Sequence, residues 1–249
     1  MSTFVLVHGS WHGAWCWDKV VPLLEQAGHR VEAIDLPGHG NDRSPIAEMT
    51  MQSYVDRVCQ VIDAQPGPVI LVGHSMAGVV VSQTAEYRPE KIQTLVYLSA
   101  FLLQDGEFLL QVAQTDSESL VLSNLILNEE EGYHMVREEA RREVFYHDCS
   151  EEDAERACAQ LVPEANAVIA TPIHITKENY GRVPRVYIET LSDKTVGPSL
   201  QMRLYTATPC LKVITLNTSH SPFLSAPEEL VKQLNSVSSM NKETHDSTI

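Results

Sequence analysis

One short segment constrains the fold more than any other. The apolar run 69–72 ends in Gly-His-Ser, and a helix-compatible run begins at Met76. This order suits a nucleophile elbow, a sharp strand-to-helix turn that lifts a serine oxygen above the edge of a sheet, and it predicts Ser75 as the nucleophile. The segment departs from G-x-S-x-G, because Ala77 takes the last position and Gly78 follows, but alanine is also small. A Gly-Ser turn in another kind of α/β protein is the alternative that the pentapeptide leaves open.

Short apolar runs alternate with helical patterns along most of the chain. Continuously apolar runs are typical of parallel strands covered on both faces, and the alternation predicts right-handed βαβ units in a doubly wound sheet. The predicted strands are 4–7, 31–36, 69–72, 95–98, 186–188 and 213–216. The predicted helices are 18–27, 51–64 behind a Thr50 cap, 76–87 and 227–235.

The alternation stops between about residues 100 and 183. This stretch carries helical patterns, including apolar faces such as 120–127, but no convincing core strand. Since an insertion of this length is too long for a simple loop, we predict a cap. The predicted division is therefore a core of residues 1–100 and 184–235, a cap segment of residues 101–183, and a disordered polar tail, 236–249. The acidic run 129–131 is interpreted as solvated surface.

Composition narrows the functional classes. The 249 residues suffice for one large core, and the net charge of −15 argues against nucleic-acid binding, which needs a basic face. No apolar stretch is long enough to span a bilayer, and no leader is expected before a first strand at about Thr3, so the cytoplasm and no membrane partner are predicted. The five cysteines are scattered and are expected to be reduced thiols. The histidine and cysteine spacing predicts no metal site.

A serine nucleophile needs a base, and the base needs an orienting acid. In chain order these should be Ser, then Asp or Glu, then His, each in a loop after a strand. Asp193 and His220 stand after the last two predicted strands, at the sheet edge where such sites form. Taken singly, Asp193 could be a turn residue and His220 a loop histidine, but together with Ser75 they predict a triad. Glu189 is the competing acid, although it lies nearer to its strand.

Acyl transfer also needs hydrogen-bond donors for a developing oxyanion. The backbone N–H after the nucleophile, that of Met76, is one predicted donor. The other is the N–H of Ser10, in the loop after the first strand, where glycines allow close approach of the backbone to a substrate. Four nearby aromatic and histidine residues are interpreted as structural: Trp15, Trp17, His8 and His74.

Four segments together resemble one known family. The opening 4–15, the elbow 72–78, the segment 148–153 and the run 180–188 are similar to the plant methylesterase and hydroxynitrile lyase family and its bacterial esterase relatives. The similarity extends over about residues 3–234 and therefore includes the cap segment.

This resemblance implies an α/β-hydrolase fold, with a mainly parallel doubly wound sheet and a helical cap inserted before the last two strands. It also implies action on small esters without a cofactor. Carried over residue by residue, it gives Ser75, Asp193 and His220 as the catalytic triad, with Ser10 and Met76 as oxyanion donors.

Three functions compete on this fold. The first is a serine carboxylesterase for small, fairly apolar esters, with methyl esters as a candidate class. The second is a cofactor-free lyase, but hydroxynitrile lyases of the family carry a threonine where this chain has Gly9 and a lysine where it has Ser221. The third is a small-ligand receptor, which an intact triad disfavours, while Ser75 in place of an aspartate excludes a dehalogenase. A homodimer is left open.

Overall fold

The computed structural model describes residues 1–240, which form a central parallel sheet and a second, smaller sheet. Six strands pair in parallel in the order β2-β1-β3-β4-β8-β9, and three antiparallel strands pair in the order β5-β6-β7. The strands are β1 (Thr3–Val7), β2 (Arg30–Ile34), β3 (Val69–His74), β4 (Ile92–Leu98), β5 (Leu125–Asn128), β6 (Tyr133–Val136), β7 (Glu164–Ala165), β8 (Arg185–Thr190) and β9 (Lys212–Leu216).

Helices connect the strands and cover both faces of the central sheet. The α-helices are α1 (Val20–Gln26), α2 (Met51–Asp63), α3 (Ala77–Tyr87), α4 (Leu109–Ala113), α5 (Arg141–Phe145), α6 (Glu151–Gln160), α7 (Asn166–Ala170), α8 (Pro198–Ala207), α9 (Pro222–Ser225) and α10 (Pro227–Met240). Short 3-10 turns lie at Ala14–Trp17, Ile46–Glu48, Pro89–Lys91, Leu122–Asn124, Glu138–Ala140 and Tyr180–Arg182. The predicted Thr50 cap is confirmed, because its side chain accepts a hydrogen bond from the Ser53 N–H.

The direction of winding reverses at β1. The chain runs from β1 to its neighbour β2 and then crosses to β3 on the other side of β1. In open α/β sheets, such a reversal opens a crevice beyond the carboxyl ends of the strands, and ligands bind there. The loops after β1 and β3, which carry Ser10 and Ser75, therefore flank the crevice.

Two apolar layers hold the sheet. Val5 and Val7 of β1 pack into one layer, whereas Phe4 and Leu6 pack into the other, as the two-residue period of a strand requires. All four side chains are fully buried. The continuous apolar runs in the sequence are thus explained by helices on both faces, and the predicted doubly wound α/β sheet is confirmed.

The cap segment contributes no strand to the central sheet among the described residues. It contains β5 to β7, which the sequence analysis did not predict. The predicted helical face over 120–127 is wrong, since β5 pairs with β6 in the register Leu125↔Val136 after a single 3-10 turn. Pairing with the adjacent strand of a hairpin here overrides a local helical pattern. The acidic run 129–131 is exposed, as predicted.

Among the element ends that differ from prediction, two have a cause in the contacts of the structure. Strand β2 ends at Ile34, before the predicted Leu36, because the Leu36 N–H donates to His8 Nε2 at 3.1 Å instead of to a strand neighbour. Helix α10 continues to Met240, so a disordered tail from Ser236 is wrong for 236–240. Val237 extends the buried stripe of this helix by one turn and anchors it. Residues 241–249 of the predicted tail lie outside the described residues.

Among the described residues 1–240, no helix is long and apolar enough to cross a membrane.

All five cysteines are free thiols. Burial raises the pKa of the Cys59 thiol to about 11 and those of Cys149 and Cys210 to about 12. These thiols are therefore protonated near neutral pH and poorly reactive.

Candidate active site

Ser75 occupies a strained turn between β3 and α3. Its φ of 56° lies in the left-handed region that residues other than glycine rarely adopt. The backbone is held on both sides, because the Ser75 N–H donates to Leu98 O and its carbonyl accepts from the N–H of Phe101, both at 3.1 Å. Gly73 permits the close approach of strand and helix, since an added Cβ there would lie 2.9 Å from Ala77 O. The sharp turn expected from the sequence is therefore present.

Asp193 and His220 meet at the ends of β8 and β9. His220 Nδ1 donates to Asp193 Oδ2 at 2.7 Å, and both side chains are at most 1 % exposed. A carboxylate can only accept, so Nδ1 carries the hydrogen and Nε2 is left as the basic nitrogen. The bond thus selects the tautomer in which His220 can take a proton from a nucleophile.

The Asp193 carboxylate is held by four further donors. Oδ1 accepts from the N–H groups of Thr195 and Val196 at 2.7 and 2.9 Å. Oδ2 accepts from the Thr190 hydroxyl at 2.9 Å and from Gln201 Nε2 at 3.3 Å. Hydrogen bonds of this kind fix the orientation of the carboxylate.

Glu189, the competing acid, has different partners. Its carboxylate accepts from the Tyr205 hydroxyl at 3.1 Å and from Thr215 Oγ1 at 2.7 Å. The structure therefore brings Asp193, and not Glu189, to His220 Nδ1.

Two cap residues bind the loops that carry Asp193 and His220. The Asp148 carboxylate accepts hydrogen bonds from Ser219, the residue directly before His220. The donors are the Ser219 N–H, at 2.7 Å, and the Ser219 hydroxyl. His147 Nε2 donates to the Ser192 carbonyl at 2.8 Å, directly before Asp193. The sequence analysis missed both contacts, and only the resemblance of the segment 148–153 pointed to this region.

Three neutral histidines organise the first loop and the elbow. Burial lowers the pKa of His8 and of His12 to about 3, and that of His74 well below its ordinary value. His12 Nδ1 donates to the Ser10 carbonyl at 2.8 Å, and His74 Nε2 donates to the His220 carbonyl at 2.9 Å. The interpretation of His8 and His74 as hydrogen-bonded structural residues is confirmed.

A cavity of about 50 Å³ lies over the elbow. Ser75 and both predicted oxyanion donors, Ser10 and Met76, line it. Within residues 1–240, neither the Ser10 nor the Met76 N–H donates a hydrogen bond to another protein group. Most of the other lining side chains are apolar and come from the cap segment: Phe101, Leu109, Leu110, Ala113, Val121, Leu122, Leu125 and Ile169.

Trp11 is the aromatic residue of the first loop that lines the cavity. The sequence analysis considered only Trp15 and Trp17, and Trp17 is fully buried in the apolar layer that contains Phe4 and Leu6. Trp11 has a φ of 65° and packs against His134 of the cap. No sequence pattern predicted the positive φ angle of Trp11.

A buried charged cluster joins the cap segment to the core. Glu164 of β7 is fully buried, and its Oε1 accepts from the Tyr54 hydroxyl at 2.6 Å. Its Oε2 lies 3.4 Å from His39 Nε2. The attraction of His39 lowers the pKa of Glu164 to about 2 against the cost of burial, and Glu164 in turn raises the pKa of His39. The pair is therefore ionised in mildly acidic solution.

We expect Glu164→Gln to lower the free energy of unfolding by about 3 kcal/mol, because it leaves the buried His39 cation without its counter-charge. Urea denaturation measures this change, with the exposed Glu130→Gln as a matched control that should lie within about 0.5 kcal/mol of wild type.

The pH dependence of this stability difference follows from the pKa shifts of Glu164 and His39. The contribution of Glu164 is complete above its ordinary pKa of 4.5 and is lost as the pH falls toward about 2. That of His39 is complete below its ordinary pKa of 6.5 and is lost as the pH rises through its raised value. The difference between wild type and Glu164→Gln should thus be largest between about pH 4.5 and 6.5. Equal stability of the two proteins in this window would contradict the ion pair.

Ser75 is a strained serine between a parallel strand and a helix, and an acid–histidine pair lies at later strand ends of the same sheet. This arrangement defines the class of α/β-hydrolases. This chain belongs to the alpha/beta hydrolase family, whose sequence model matches residues 4–233.

Named relatives come from plants and bacteria. The chain is 32% identical over 244 residues to putative methylesterase 11, chloroplastic, of Arabidopsis thaliana, covering 93% of this chain. It is 30% identical over 243 residues to a pyrethroid hydrolase of Sphingobium wenxiniae, covering 94% of this chain and 86% of the relative. The crystal structure of the Arabidopsis methylesterase MES16 superposes with a TM-score of 0.85 at 27% identity, covering 96% of this chain and 99% of that one.

The predicted resemblance to plant methylesterases and bacterial relatives is confirmed. The chain spans only 62%, 56% and 56% of the length of the first three curated relatives.

Proposed function

We propose that this protein is a serine carboxylesterase that hydrolyses small, fairly apolar carboxylic esters through Ser75, His220 and Asp193. The observation that carries the proposal is the 2.7 Å bond from His220 Nδ1 to Asp193, which leaves His220 Nε2 as a base at the sheet edge where Ser75 stands. The methylesterase and hydrolase names of the relatives agree with ester cleavage.

In the proposed reaction, Ser75 Oγ attacks the ester carbonyl carbon while His220 Nε2 takes the proton of the Ser75 hydroxyl. The tetrahedral intermediate collapses to an acyl-serine, and His220 returns the proton to the departing alcohol. Water then attacks the acyl group with His220 again as base, which releases the carboxylic acid and restores the Ser75 hydroxyl. Asp193 stays ionised and stabilises the imidazolium that forms twice in each cycle.

The backbone N–H groups of Ser10 and Met76 are the proposed oxyanion donors. Both residues line the cavity with Ser75, and the 2.8 Å bond from His8 Nδ1 to the Gly9 carbonyl holds the Gly9–Ser10 peptide, which carries the Ser10 N–H. Donors fixed before the reaction stabilise the developing charge without reorganisation, and each is worth about 3 to 4 kcal/mol in comparable enzymes.

The apolar cavity wall favours esters with an apolar body, and its small volume favours short ones. Methyl esters fit both conditions, since their alcohol part is a single carbon. The cytoplasmic location and a homodimer remain predictions from the sequence, and several matched relatives are named as chloroplastic.

The lyase is the second candidate, and two positions disfavour it. Gly9 lies so close to the elbow that an added Cβ would stand 2.7 Å from Ser75 Cβ, so this backbone has no room for the threonine of hydroxynitrile lyases. Ser221 is fully buried and supplies no positive charge beside His220. Without a cation, an anionic leaving group such as cyanide is costly to form in a mostly apolar cavity.

The two reactions can be compared on one preparation. We expect measurable hydrolysis of short methyl and p-nitrophenyl esters, and cyanide release from mandelonitrile no faster than the uncatalysed background. Cyanide release well above background that disappears in Ser75→Ala would instead support the lyase. Ligand binding without turnover of either substrate would support the receptor.

A further inference from the structure

His134 is a polar cap residue in the wall of the same cavity. It lies on β6, is 2 % exposed, and lines the cavity together with Trp11 and Ser75. Its ring stands edge-on to Trp11, with a centroid distance of 5.6 Å and an interplanar angle of 86°. Trp11 Nε1 also donates to the His134 carbonyl at 3.1 Å. The ring is therefore held in one position by the loop after β1.

Hydrogen bonding determines which ring nitrogen of His134 carries the proton. Nδ1 lies 2.9 Å from Asn166 Oδ1, and Asn166 Nδ2 donates to the Asn128 carbonyl at 3.2 Å, which fixes the amide orientation. Nδ1 must therefore donate to Asn166. Burial lowers the pKa of His134, so the ring is neutral near pH 7 and Nε2 presents a lone pair.

Three other polar side chains of this wall, Ser119, Thr195 and Asp116, have protein partners. Ser119 Oγ donates to the Thr195 carbonyl at 2.8 Å, and Thr195 Oγ1 donates to the Val144 carbonyl at 2.9 Å. The Asp116 carboxylate accepts from the Gly197 N–H at 2.7 Å. Within residues 1–240, the His134 ring bonds to a protein group through Nδ1 and not through Nε2.

We propose that His134 determines substrate specificity by accepting, at Nε2, a hydrogen bond from a hydroxyl or N–H group on the part of the ester bound beneath the cap. This inference rests on the proposed function and narrows its substrate class to esters whose apolar body carries one hydrogen-bond donor. A purely hydrocarbon ester would displace water from Nε2 and leave this acceptor unpaired, which is costly in an apolar cavity.

The test uses methyl phenylacetate and its ortho, meta and para hydroxy derivatives, so that the donor is offered in three directions. We expect wild type to favour at least one hydroxy ester over the parent by about tenfold in kcat/KM, as one hydrogen bond allows. His134→Phe keeps an aromatic ring against Trp11 but has no acceptor, and it should reduce this ratio to near one. His134→Gln offers an amide oxygen and should restore part of the preference.

Leu127→Met is the matched control, because it changes an exposed cap residue outside the cavity at nearly constant volume and should keep the wild-type ratio. Melting temperatures identify any variant that fails to fold. A wild type without preference, or a folded His134→Phe that keeps the preference, would overturn the proposal.

Binding separates this inference from the proposed function. Calorimetry with the Ser75→Ala protein measures the affinity for the same four esters without turnover, and the preferred hydroxy ester should again bind about tenfold tighter than the parent. Equal affinities would refute the role of His134 even if ester hydrolysis is confirmed. Conversely, undiminished hydrolysis by Ser75→Ala would refute the triad, while the His134→Phe comparison would still decide the role of His134.

Discussion

Ser75→Ala is expected to lower kcat/KM for every ester that the protein hydrolyses by about a thousandfold or more. The substitution removes the atom that forms the acyl intermediate and leaves only binding and oxyanion stabilisation. Because alanine tolerates the left-handed turn about as well as serine, the variant should fold, which circular dichroism and melting temperature can check. Initial rates on a panel of methyl and p-nitrophenyl esters measure the loss.

Ser10→Ala is the matched control for this substitution. It also removes a serine hydroxyl from the cavity but keeps the backbone N–H that we propose as an oxyanion donor. Its activity should stay within about tenfold of wild type, since the donor itself is retained. A Ser75→Ala protein as active as Ser10→Ala would show that Ser75 is not the nucleophile.

Asp193→Asn is expected to lower kcat by about ten thousandfold at neutral pH. The asparagine amide would donate to His220 Nδ1, which forces the hydrogen onto Nε2 and removes the base that Ser75 needs. The backbone donors at Thr195 and Val196 can still bind the remaining oxygen, so the loop should keep its shape. The pH–rate profile and single-turnover rates of the variant measure the effect.

Glu189→Gln serves as the control for the acid, since Glu189 bonds to Tyr205 and Thr215 and not to His220. Its kcat should remain within a few-fold of wild type. If Glu189→Gln abolished activity while Asp193→Asn retained it, the assignment of the acid would be wrong.

Local pattern was sufficient to predict the central sheet and the placement of Ser75, Asp193 and His220 after strands β3, β8 and β9. The continuously apolar runs predicted strands that are covered on both faces. The sequence Gly73-His74-Ser75 after one of these runs predicted a sharp turn between a strand and a helix. Since parallel strands end at one edge, Asp193 and His220 could be expected near Ser75 from their order in the chain alone. The 2.7 Å hydrogen bond between Asp193 and His220 could be recognised only from the structure.

Contacts between distant segments explain what the sequence analysis missed. His134 owes its tautomer to Asn166 and its orientation to Trp11, which lies 123 residues away in the chain. The Glu164 carboxylate meets Tyr54 across 110 residues. Neither pairing follows a local period. Strand β5 was missed although its partner β6 is the next strand of a hairpin, because its residues also fit a helical pattern. The composition of the cap segment therefore predicted an insertion but not its internal sheet.

Covalent labelling of the nucleophile tests the central claim most directly. A fluorophosphonate phosphonylates an activated serine with loss of fluoride, and tandem mass spectrometry of the tryptic peptide 58–91 can separate Ser75 from Ser82. We expect one label for each wild-type chain, on Ser75, formed at a rate that His220→Ala reduces by orders of magnitude. A protein that hydrolyses esters but carries no label on Ser75, or is labelled equally fast without His220, would contradict the account.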